Sequence, residues 1–365
     1  MEPKLSKNKS QASQIEERKN DHIQICIEKD VQAKNITTGF EDVFMIHRAL
    51  PEINWNEIDL STSFFNHRFS APIIVEAMTG GTERAFEINA AIAQAVEELG
   101  LGMGVGSQRA VLENSKLERT VSIARKKAPT AFLIANIGGS QIVKEYDLQK
   151  VKKAIEMIEA DALAIHLNPL QEAVQPEGET NYAGILEKIE MITNALSIPV
   201  IVKETGAGIA AEEAKKLKEA GVSCIDVAGA GGTSWAAVEY FRAKQRGELL
   251  GQEVAKDLWD WGIPTAISLI EVVQSVDLPV IASGGIRSGK DVAKSLALGA
   301  ELAGFAFPIL EPALKGSEEV KQRIYFILHQ LKTVMFIVGA ISIKKLKDSP
   351  LVIIGRTAEW LEARG

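Results

Sequence analysis

The sequence predicts a (β/α)8 barrel, the TIM-barrel fold, preceded by an N-terminal extension. Two observations carry this prediction. From Pro72 onward, eight short apolar runs recur, and most are separated by segments with apolar residues at three- and four-residue spacing. Continuous apolar runs suit parallel strands covered on both faces, and the longer spacing suits amphipathic helices. Eight such units within about 240 residues match the size of a barrel of this kind.

The eight predicted barrel strands are, in chain order, PIIVEA, GLGMGV, AFLIAN, ALAIHL, PVIVKE, CIDVAG, PVIASG and LAGFAF. Helix-like segments such as AFEINAAIAQAVEEL and AAEEAKKLKEAG lie between them. A doubly wound open sheet is the alternative fold. It normally carries a Gly-rich fingerprint after its first strand, and MTGGTE is not that fingerprint, so the barrel is favoured.

Three regions are predicted along the chain: a mobile N-terminal tip (1–17), a segment that covers the substrate and caps the barrel (18–71), and the barrel with its C-terminal helices (72–365). The tip is polar and charged, and it lacks the apolar groups needed to offset its chain entropy. About 50 residues separate the sixth and seventh apolar runs. Residues 236–263 are therefore expected to form an insertion over the strand ends or an extended helix, and their role stays open.

Composition excludes several classes of function. A net charge of −7 argues against general nucleic-acid binding, which needs a basic surface. The two cysteines, Cys26 and Cys224, lie far apart and have no metal-type spacing, which favours a reducing compartment. The N-terminal stretch has no apolar core, and VMFIVGAISI is about half the length of a membrane span. We expect a cytoplasmic protein with neither a nucleic-acid nor a membrane partner.

Glycine-rich and polar segments follow the predicted strands, at the end of the barrel where this fold places its chemistry. After the seventh run, Gly284, Gly285 and Arg287 precede the predicted helix GKDVAKSLALGA. Glycines let the backbone approach an anion, and the start of a helix supplies N–H groups. Because phosphate sites in barrels commonly lie after strands seven and eight, this segment is predicted to bind a phosphate.

Lys203 ends the fifth predicted strand, which should be buried on both faces. A buried lysine is costly unless it meets an anion or loses its proton. A reduced flavin is one fitting partner, since it is anionic along its pyrimidine edge. Asn136, Thr79 and Ser107 could hydrogen-bond the same flat ring. The pattern favours an FMN barrel over a lysine whose head reaches solvent.

The fourth predicted strand ends in LAIHLNPLQEAVQPEGE, where hydrogen-bonding groups are concentrated. His166 is either a functional group or a satisfied core histidine. Glu172 is either a metal ligand or a helix cap. No Cys/His cluster has zinc spacing, so an oxygen-ligated ion such as Mg²⁺ fits better, held by one carboxylate and substrate phosphates.

The N-terminal extension holds Arg18, Lys19 and His22 just before the apolar alternation of Ile23, Ile25 and Ile27. Taken alone, the local pattern favours a solvated charge run over a functional role for this basic cluster.

Together, these stretches resemble the type 2 isopentenyl-diphosphate isomerases, an FMN-dependent family. The resemblance covers the chain from about Arg18 almost to its end, and RKNDHI joined to HLNPLQE is its most specific part. The matching pieces are RKNDHI (18–23), EAMTGGT (76–82), GVGSQR (104–109), ANIGG (135–139), AIHLNPLQEAVQPEGE (164–179), VKETGAG (202–208), GAGGTSWAAVE (229–239), SGGIRSGKDVAKSLALGA (283–300) and MFIVGA (335–340).

The resemblance implies interconversion of isopentenyl and dimethylallyl diphosphate, with reduced FMN required, NADPH or NADH as reductant and Mg²⁺ assisting. It implies an FMN site of Ala77, Met78, Thr79, Ser107, Asn136, Lys203, Thr233, Gly284, Gly285, Ile286, Arg287, Ala306 and Phe307. It implies substrate contacts from Arg18, Lys19, His22, Ser107, Gln108, Arg109, Asn168 and Gln171. Glu172 resembles the magnesium ligand, and Trp235 and Glu239 lie in a stretch the family places near the reacting groups.

With this resemblance, the basic N-terminal segment is expected to order over a bound diphosphate as a lid that excludes water. The isomerisation moves a proton across an allyl unit, and a reduced flavin can carry that proton. Lys203 is expected to hold the flavin's negative charge and Gln171 to orient or relay near the substrate. The sequence names no unique general acid or base: His166, Glu239 and the flavin all stay open.

Two other function classes remain as alternatives. One is a net FMN oxidoreductase acting on a 2-hydroxy acid, which relies on a histidine late in the barrel, yet no histidine occurs between His166 and His329. The other is a barrel that has lost its cofactor and serves as a binding scaffold. By resemblance alone, the protein is expected to form homo-oligomers, as tetramers or octamers.

Overall fold

The computed structural model describes residues 11–365, and side chains from residue 16 onward. Its strands are β1 (Val43–Met45), β2 (Thr62–Phe64), β3 (His67–Phe69), β4 (Ile73–Val75), β5 (Gly102–Gly104), β6 (Phe132–Gly138), β7 (Ala162–His166), β8 (Val200–Lys203), β9 (Cys224–Asp226), β10 (Val280–Ala282), β11 (Leu302–Phe305) and β12 (Leu351–Ile353). Strands β4 to β11 pair in parallel, each with the next, and β11 closes on β4. The predicted barrel and its eight strands are confirmed.

The helices surround this barrel and extend it at both ends of the chain. They are α1 (Gln11–Glu28), α2 (Glu83–Leu99), α3 (Arg109–Glu113), α4 (Arg119–Lys127), α5 (Gly139–Lys144), α6 (Leu148–Glu156), α7 (Pro169–Val174), α8 (Ile185–Ala195), α9 (Ala211–Glu219), α10 (Trp235–Arg246), α11 (Leu249–Asp257), α12 (Thr265–Ser275), α13 (Gly289–Ala297), α14 (Phe307–Lys315), α15 (Ser317–Val338), α16 (Ile343–Lys347) and α17 (Gly355–Arg364). Within residues 11–365, no helix is both long and apolar enough to span a bilayer.

The barrel interior is filled by side chains from alternate positions of its strands, as the two-residue period of a strand requires. The inward positions in the lower half are apolar: Ile74, Phe132, Ile134, Ala162, Ala164, Ile201, Cys224, Ile281 and Leu302. The antiparallel pair β2–β3 packs Phe64 and Phe69 into the same cluster. Two residues further along, the inward positions become polar, so a polar layer lies on top of the apolar one.

The apolar alternation at the start of the N-terminal extension lies in helix α1. In α1, Ile23 and Ile25 are buried whereas Ile27 is 37% exposed, so the alternation of isoleucines does not mark one buried face. Ile25 packs against Ala237 and Val238 of α10. Helix α1 also runs without a break across the predicted boundary between residues 17 and 18. The first ten residues of the predicted mobile tip lie outside the described residues.

The predicted insertion is two helices, α10 and α11, which precede the barrel helix α12. Among the predicted C-terminal helices, α15 and α16 are separated by the left-handed Gly339. Beyond them, β12 pairs antiparallel with β1, with Val43 opposite Ile353. This pairing joins the segment that follows α1 to the C-terminal part of the chain.

Candidate active site

A cavity of about 260 Å³ opens at the carboxyl end of the barrel strands. Helix α1 contributes one face to it, because Arg18, His22 and Cys26 are spaced by four residues and Lys19 and Ile23 lie beside them. The barrel contributes the floor and walls. Nearly all the predicted site residues line this cavity: Arg18, Lys19, His22, Ala77, Met78, Thr79, Ser107, Arg109, Asn136, His166, Asn168, Gln171, Glu172, Lys203, Thr233, Trp235, Gly284, Gly285, Ile286, Arg287, Ala306 and Phe307.

Two predicted site residues, Gln108 and Glu239, do not line the cavity. The fully buried amide of Gln108 donates to the carbonyl of Ala154 at 2.7 Å and accepts from the backbone N–H of Asn136 at 2.9 Å. The side chain of Gln108 therefore braces the loop after β5 and does not face the cavity, and its contact with substrate stays a prediction. Glu239 lies one layer behind the wall and reaches the cavity through other side chains.

Glu239 joins α1, α7 and α10 in one buried network. Its Oε1 atom lies 2.9 Å from Nε2 of His22 and 3.4 Å from Nε2 of Gln171, and its Oε2 accepts from Arg242 at 2.6 Å. Burial alone would raise the pKa of Glu239, but His22 and Arg242 hold it down at about 2. This carboxylate therefore stays ionised at neutral pH.

The two cavity histidines are both held neutral. Burial lowers the pKa of His22 more than its contact with Glu239 raises it. Burial, together with the charges of Lys203 and Lys19, lowers the pKa of His166 to about 3. Nδ1 of His166 lies 2.8 Å from Oδ1 of Asn136, so it donates there, and the Nδ2 group of Asn136 remains for a ligand. A proton at neutral pH cannot come from either imidazole.

The loop after β7 is organised around Asn168. Its amino group donates to Gln171 at 2.9 Å and to Glu172 at 3.2 Å, while its oxygen accepts from the hydroxyl of Tyr182 at 3.0 Å. The second oxygen of Glu172 accepts from the backbone N–H of Glu179 at 2.7 Å. Glu172 is 7% exposed and faces the cavity.

Cations collect in two separate places on the wall. Arg287 follows Gly284 and Gly285, whose φ values of 96° and 69° need glycine. Its guanidinium donates to the Gln32 side chain at 2.8 Å, and burial lowers its pKa to about 10. Among residues 16–365, whose side chains are described, the guanidinium forms no ion pair with a carboxylate; Asp291 accepts instead from the backbone N–H of Arg287 at 3.1 Å. A buried cation beside a glycine turn fits a phosphate group.

The second group of cations comes from α1 and the loop after β5. Lys19 donates to the carbonyl of Ser107 at 2.7 Å, and burial, Arg18 and Arg109 lower its pKa to about 7. Burial and Arg109 also lower the pKa of Arg18. Arg109 differs, because Glu113 at 3.0 Å and Glu179 at 2.7 Å already accept from it. Arg18 and Lys19 are thus crowded by like charge, and an anion would relieve them.

The cavity floor contains residues that the sequence reasoning missed. Lys203 is buried, as predicted, but its ammonium lies 3.3 Å from Asp226 and 3.6 Å from Glu76. These two carboxylates raise the pKa of Lys203 to about 12, although burial opposes them. The pattern that identified Lys203 also applies to Glu76 and Asp226, because each is a charged residue near the end of a continuous apolar run. The α10 residue Arg242 was also missed.

The described residues contain no group of three or more His, Cys, Asp or Glu side chains arranged to hold a metal ion. Glu172 therefore stands as a single carboxylate donor. One carboxylate suits Mg²⁺, which keeps waters and shares substrate phosphates.

Comparison with known proteins finds relatives that match almost the whole chain. A profile of the FMN-dependent dehydrogenase family matches residues 12–353. The isopentenyl-diphosphate delta-isomerase of Methanothermobacter thermautotrophicus is 51% identical over 353 residues, covering 96% of this chain and 97% of that protein. The isopentenyl-diphosphate delta-isomerase of Pyrococcus furiosus is 49% identical over 355 residues, covering 95% and 89%.

Among solved structures, a putative lactate oxidase of Pediococcus acidilactici superposes with a TM-score of 0.62 at 17% identity, covering 96% of this chain and 97% of the other. A mandelate oxidase carrying an FMN monooxide adduct superposes with a TM-score of 0.59 at 19% identity, covering 87% and 90%. At these identities the likeness extends to the fold alone.

Proposed function

The chain belongs to the FMN-dependent dehydrogenase family and, within it, to the isopentenyl-diphosphate delta-isomerases, and we propose that it interconverts isopentenyl and dimethylallyl diphosphate with reduced FMN and Mg²⁺. One observation carries the proposal. Two separate groups of buried cations, Arg287 and the α1 group with Arg109, face one cavity. That arrangement suits two phosphate-bearing ligands, a nucleotide cofactor and a diphosphate substrate.

The wall fits FMN by the chemistry of its donors. Arg287 and the glycine turn would hold the phosphate, while Lys203, Asn136, Thr79 and Ser107 would hydrogen-bond the ring. Ala77, Met78, Thr233, Gly284, Gly285, Ile286, Ala306 and Phe307 would complete the pocket. Bound and reduced, FMN supplies the ring atom that carries the migrating proton. NADPH or NADH is the proposed reductant.

The protein's own residues would bind, orient and enclose the substrate. Arg18 and Lys19 would neutralise the diphosphate, each charge-assisted contact being worth about 1.5–3 kcal/mol, and Arg109, already paired with Glu113 and Glu179, would add a contact. Mg²⁺ on Glu172 would anchor the same group. Helix α1 would exclude water above the alkene, with His22 and Trp235 in an edge-on ring contact at 5.1 Å.

We propose that neither His166 nor Glu239, which the sequence left open as general acid or base, transfers a proton to or from the substrate. His166 is neutral and Glu239 ionised at pH 7, so neither can donate a proton, and pKa values of about 3 and about 2 make both poor proton acceptors. Gln171 donates to Glu239 and accepts from Asn168, which fixes its amide plane. We propose that Gln171 orients the substrate and that Glu239, through His22 and Gln171, holds that orientation.

The direct test is anaerobic. Purified protein with reduced FMN, isopentenyl diphosphate and Mg²⁺ should yield dimethylallyl diphosphate, and the flavin should remain reduced at the end. No conversion under these conditions contradicts the proposal. Oxidised FMN bleached by a 2-hydroxy acid without NADPH or NADH would instead favour a dehydrogenase.

Lys19 gives the reaction a pH dependence. Its lowered pKa means that the free enzyme loses this charge as pH rises through about 7, so the KM for isopentenyl diphosphate should rise above pH 7, by about tenfold per unit if only charged Lys19 binds. Lys19→Arg keeps its charge and should give a flatter profile. Parallel KM profiles for the two proteins between pH 6.5 and 9 would refute this role.

Removing the charge of Glu172 should weaken Mg²⁺ binding without affecting FMN binding. Glu172→Gln should raise the Mg²⁺ concentration for half-maximal rate about tenfold or more and leave FMN bound, as judged by the visible spectrum. Glu187→Gln on the exposed face of α8 is the matched control and should behave as wild type. An unchanged magnesium response in Glu172→Gln would show that the assignment is wrong.

We also propose a cytoplasmic homo-oligomer, a tetramer or octamer. The exposed apolar side chains Leu249, Leu250 and Trp261, at 76%, 79% and 65% exposure, support an association surface near α11. Light scattering on the purified holoenzyme would measure its mass.

A further inference from the structure

The cavity floor contains a cluster of one ammonium group, from Lys203, and two carboxyl groups, from Glu76 and Asp226. The proposed reaction gives a role to Lys203 but none to the two carboxyl groups. Nζ of Lys203 lies 3.3 Å from Oδ2 of Asp226 and 3.6 Å from Oε2 of Glu76. The side chains are 10%, 2% and 12% exposed in that order. Glu76 and Lys203 face the cavity, and Asp226 lies behind them.

The barrel brings these groups together from opposite strands. Glu76 follows β4, whereas Lys203 and Asp226 end β8 and β9 and are register partners. Gly304 on β11 leaves the room that Glu76 occupies, because a Cβ there would collide with the Glu76 carboxyl group. The hydroxyl of Ser283 donates to Asp226 at 2.5 Å. The cluster is therefore placed by inward positions of the barrel strands rather than by a flexible loop.

Full ionisation would leave this cluster with one net negative charge in a buried place, which is unfavourable. Burial and the neighbouring Asp226 raise the pKa of Glu76 to about 8, although Lys203 opposes them. The other titratable groups facing the cluster are Glu204, Cys224 and His166. His166 is neutral, burial keeps Cys224 protonated, and three backbone N–H groups bind the Glu204 carboxylate.

We propose that Glu76 and Asp226 hold one proton between them, so that with Lys203 they form a neutral cluster, and that this proton lets the site favour reduced, negatively charged FMN. This inference rests on the proposed function, because FMN is the anion that the cluster faces. Glu76 is a positioning residue here: it acts through Lys203 and Asp226 and carries no proton to the substrate.

The protonation state of the carboxyl pair changes the number of protons that the holoenzyme takes up when FMN is reduced. Reduction to the negatively charged form adds two electrons and one proton to FMN. When the carboxyl pair has already lost its proton, the new negative charge draws one back from solvent. Below about pH 8 the holoenzyme should take up one proton per two electrons, and above it the uptake should rise toward two.

The experiment measures proton uptake by a pH indicator while dithionite reduces the holoenzyme anaerobically between pH 6.5 and 9.5, after correction for the reductant's own protons. The Glu76→Gln variant has no carboxyl group at this position to exchange a proton, so it should take up one proton per two electrons at every pH. Asp226→Asn removes the carboxylate that holds the Glu76 proton, so the rise should disappear or move to lower pH. Glu271→Gln on α12, a buried carboxylate held by Arg364, is the matched control and should keep the rise.

A second measurement does not depend on the variants folding. Infrared spectra of the wild-type holoenzyme should show a protonated carboxyl band that persists above pH 7, where Glu204, with a pKa of about 7, loses its proton. The band should disappear between about pH 8 and 9, and Glu76→Gln should lack it. A wild-type protein without such a band overturns the inference.

The outcomes separate this inference from the proposed function. Wild type that binds FMN and isomerises the substrate but takes up one proton at every pH overturns the inference alone. The inference also fails, and the proposed function stands, if Glu76→Gln and wild type share one uptake curve. Wild type that binds no FMN overturns the proposed function, and the inference with it.

Discussion

The Lys203→Ala variant should lose FMN and isomerase activity together. Its two carboxyl neighbours would remain at the cavity floor without a cation, and reduced FMN would face negative charge. Breaking a buried ion pair costs about 3–5 kcal/mol, which corresponds to a loss of about 100-fold or more in FMN affinity if most of it falls on the bound state. Fluorescence titration with FMN and the initial rate with saturating FMN measure the two losses.

Three further variants test which property of Lys203 is needed for FMN binding. Lys215→Ala on the exposed face of α9 is the matched control and should retain FMN affinity. Lys203→Arg keeps the charge and should retain part of that affinity. Lys203→Ala/Asp226→Asn removes the uncompensated carboxylate, so its thermal stability should recover while FMN binding does not. An FMN affinity in Lys203→Ala equal to that of wild type would contradict the role of Lys203.

Arg242→Ala should give a large loss of stability, although Arg242 does not line the cavity. Its side chain is 1% exposed and binds Glu239 on its own helix and Glu177 in the loop after α7, with Asp21 of α1 at 3.8 Å. Its loss would remove the guanidinium that donates to the fully buried Glu239. We expect a loss of about 3–5 kcal/mol in the free energy of unfolding, measured by urea denaturation.

Arg246→Ala is the matched control for this network. Arg246 is on the same helix and contacts the same Glu177 at 3.2 Å, but its side chain is 39% exposed. Exposed ion pairs contribute about 0–1 kcal/mol, so this variant should unfold almost as wild type does. Equal urea midpoints for the two alanine variants would show that the buried network does not hold α1 and α7 on α10.

The barrel could be predicted from sequence because each of its strands is a continuous apolar run, and that pattern depends on burial alone. Helix α1 could not be predicted in the same way. The alternation of Ile23, Ile25 and Ile27 has a two-residue period, but α1 is amphipathic over the cavity and α10, where Arg18, His22 and Cys26 share a face. Contacts with the rest of the molecule decide its structure.

The candidate site shows a similar limit. The position of Lys203 at a strand end was enough to identify it as a candidate site residue. The same rule applies to Glu76 and Asp226, but these two residues were not recognised as site residues. Gln108 shows the opposite case. Its neighbours Ser107 and Arg109 face the cavity, yet the backbone direction of the loop turns Gln108 toward Ala154. The direction of a loop side chain depends on packing that no local pattern records.

The pairing of β1 with β12 bears on the order in which the molecule is assembled during synthesis. A ribosome makes β1 before any barrel strand and β12 after all of them, and the two can pair only once both have emerged. Domains fold as the chain appears, and a contact across so long a loop forms late. Until then the segment behind α1 is held through residues 31–38, which bond to the loop after β9, to Asp260 and to α12. The pairing of β1 with β12 therefore completes the attachment of this segment only after every barrel strand has been made.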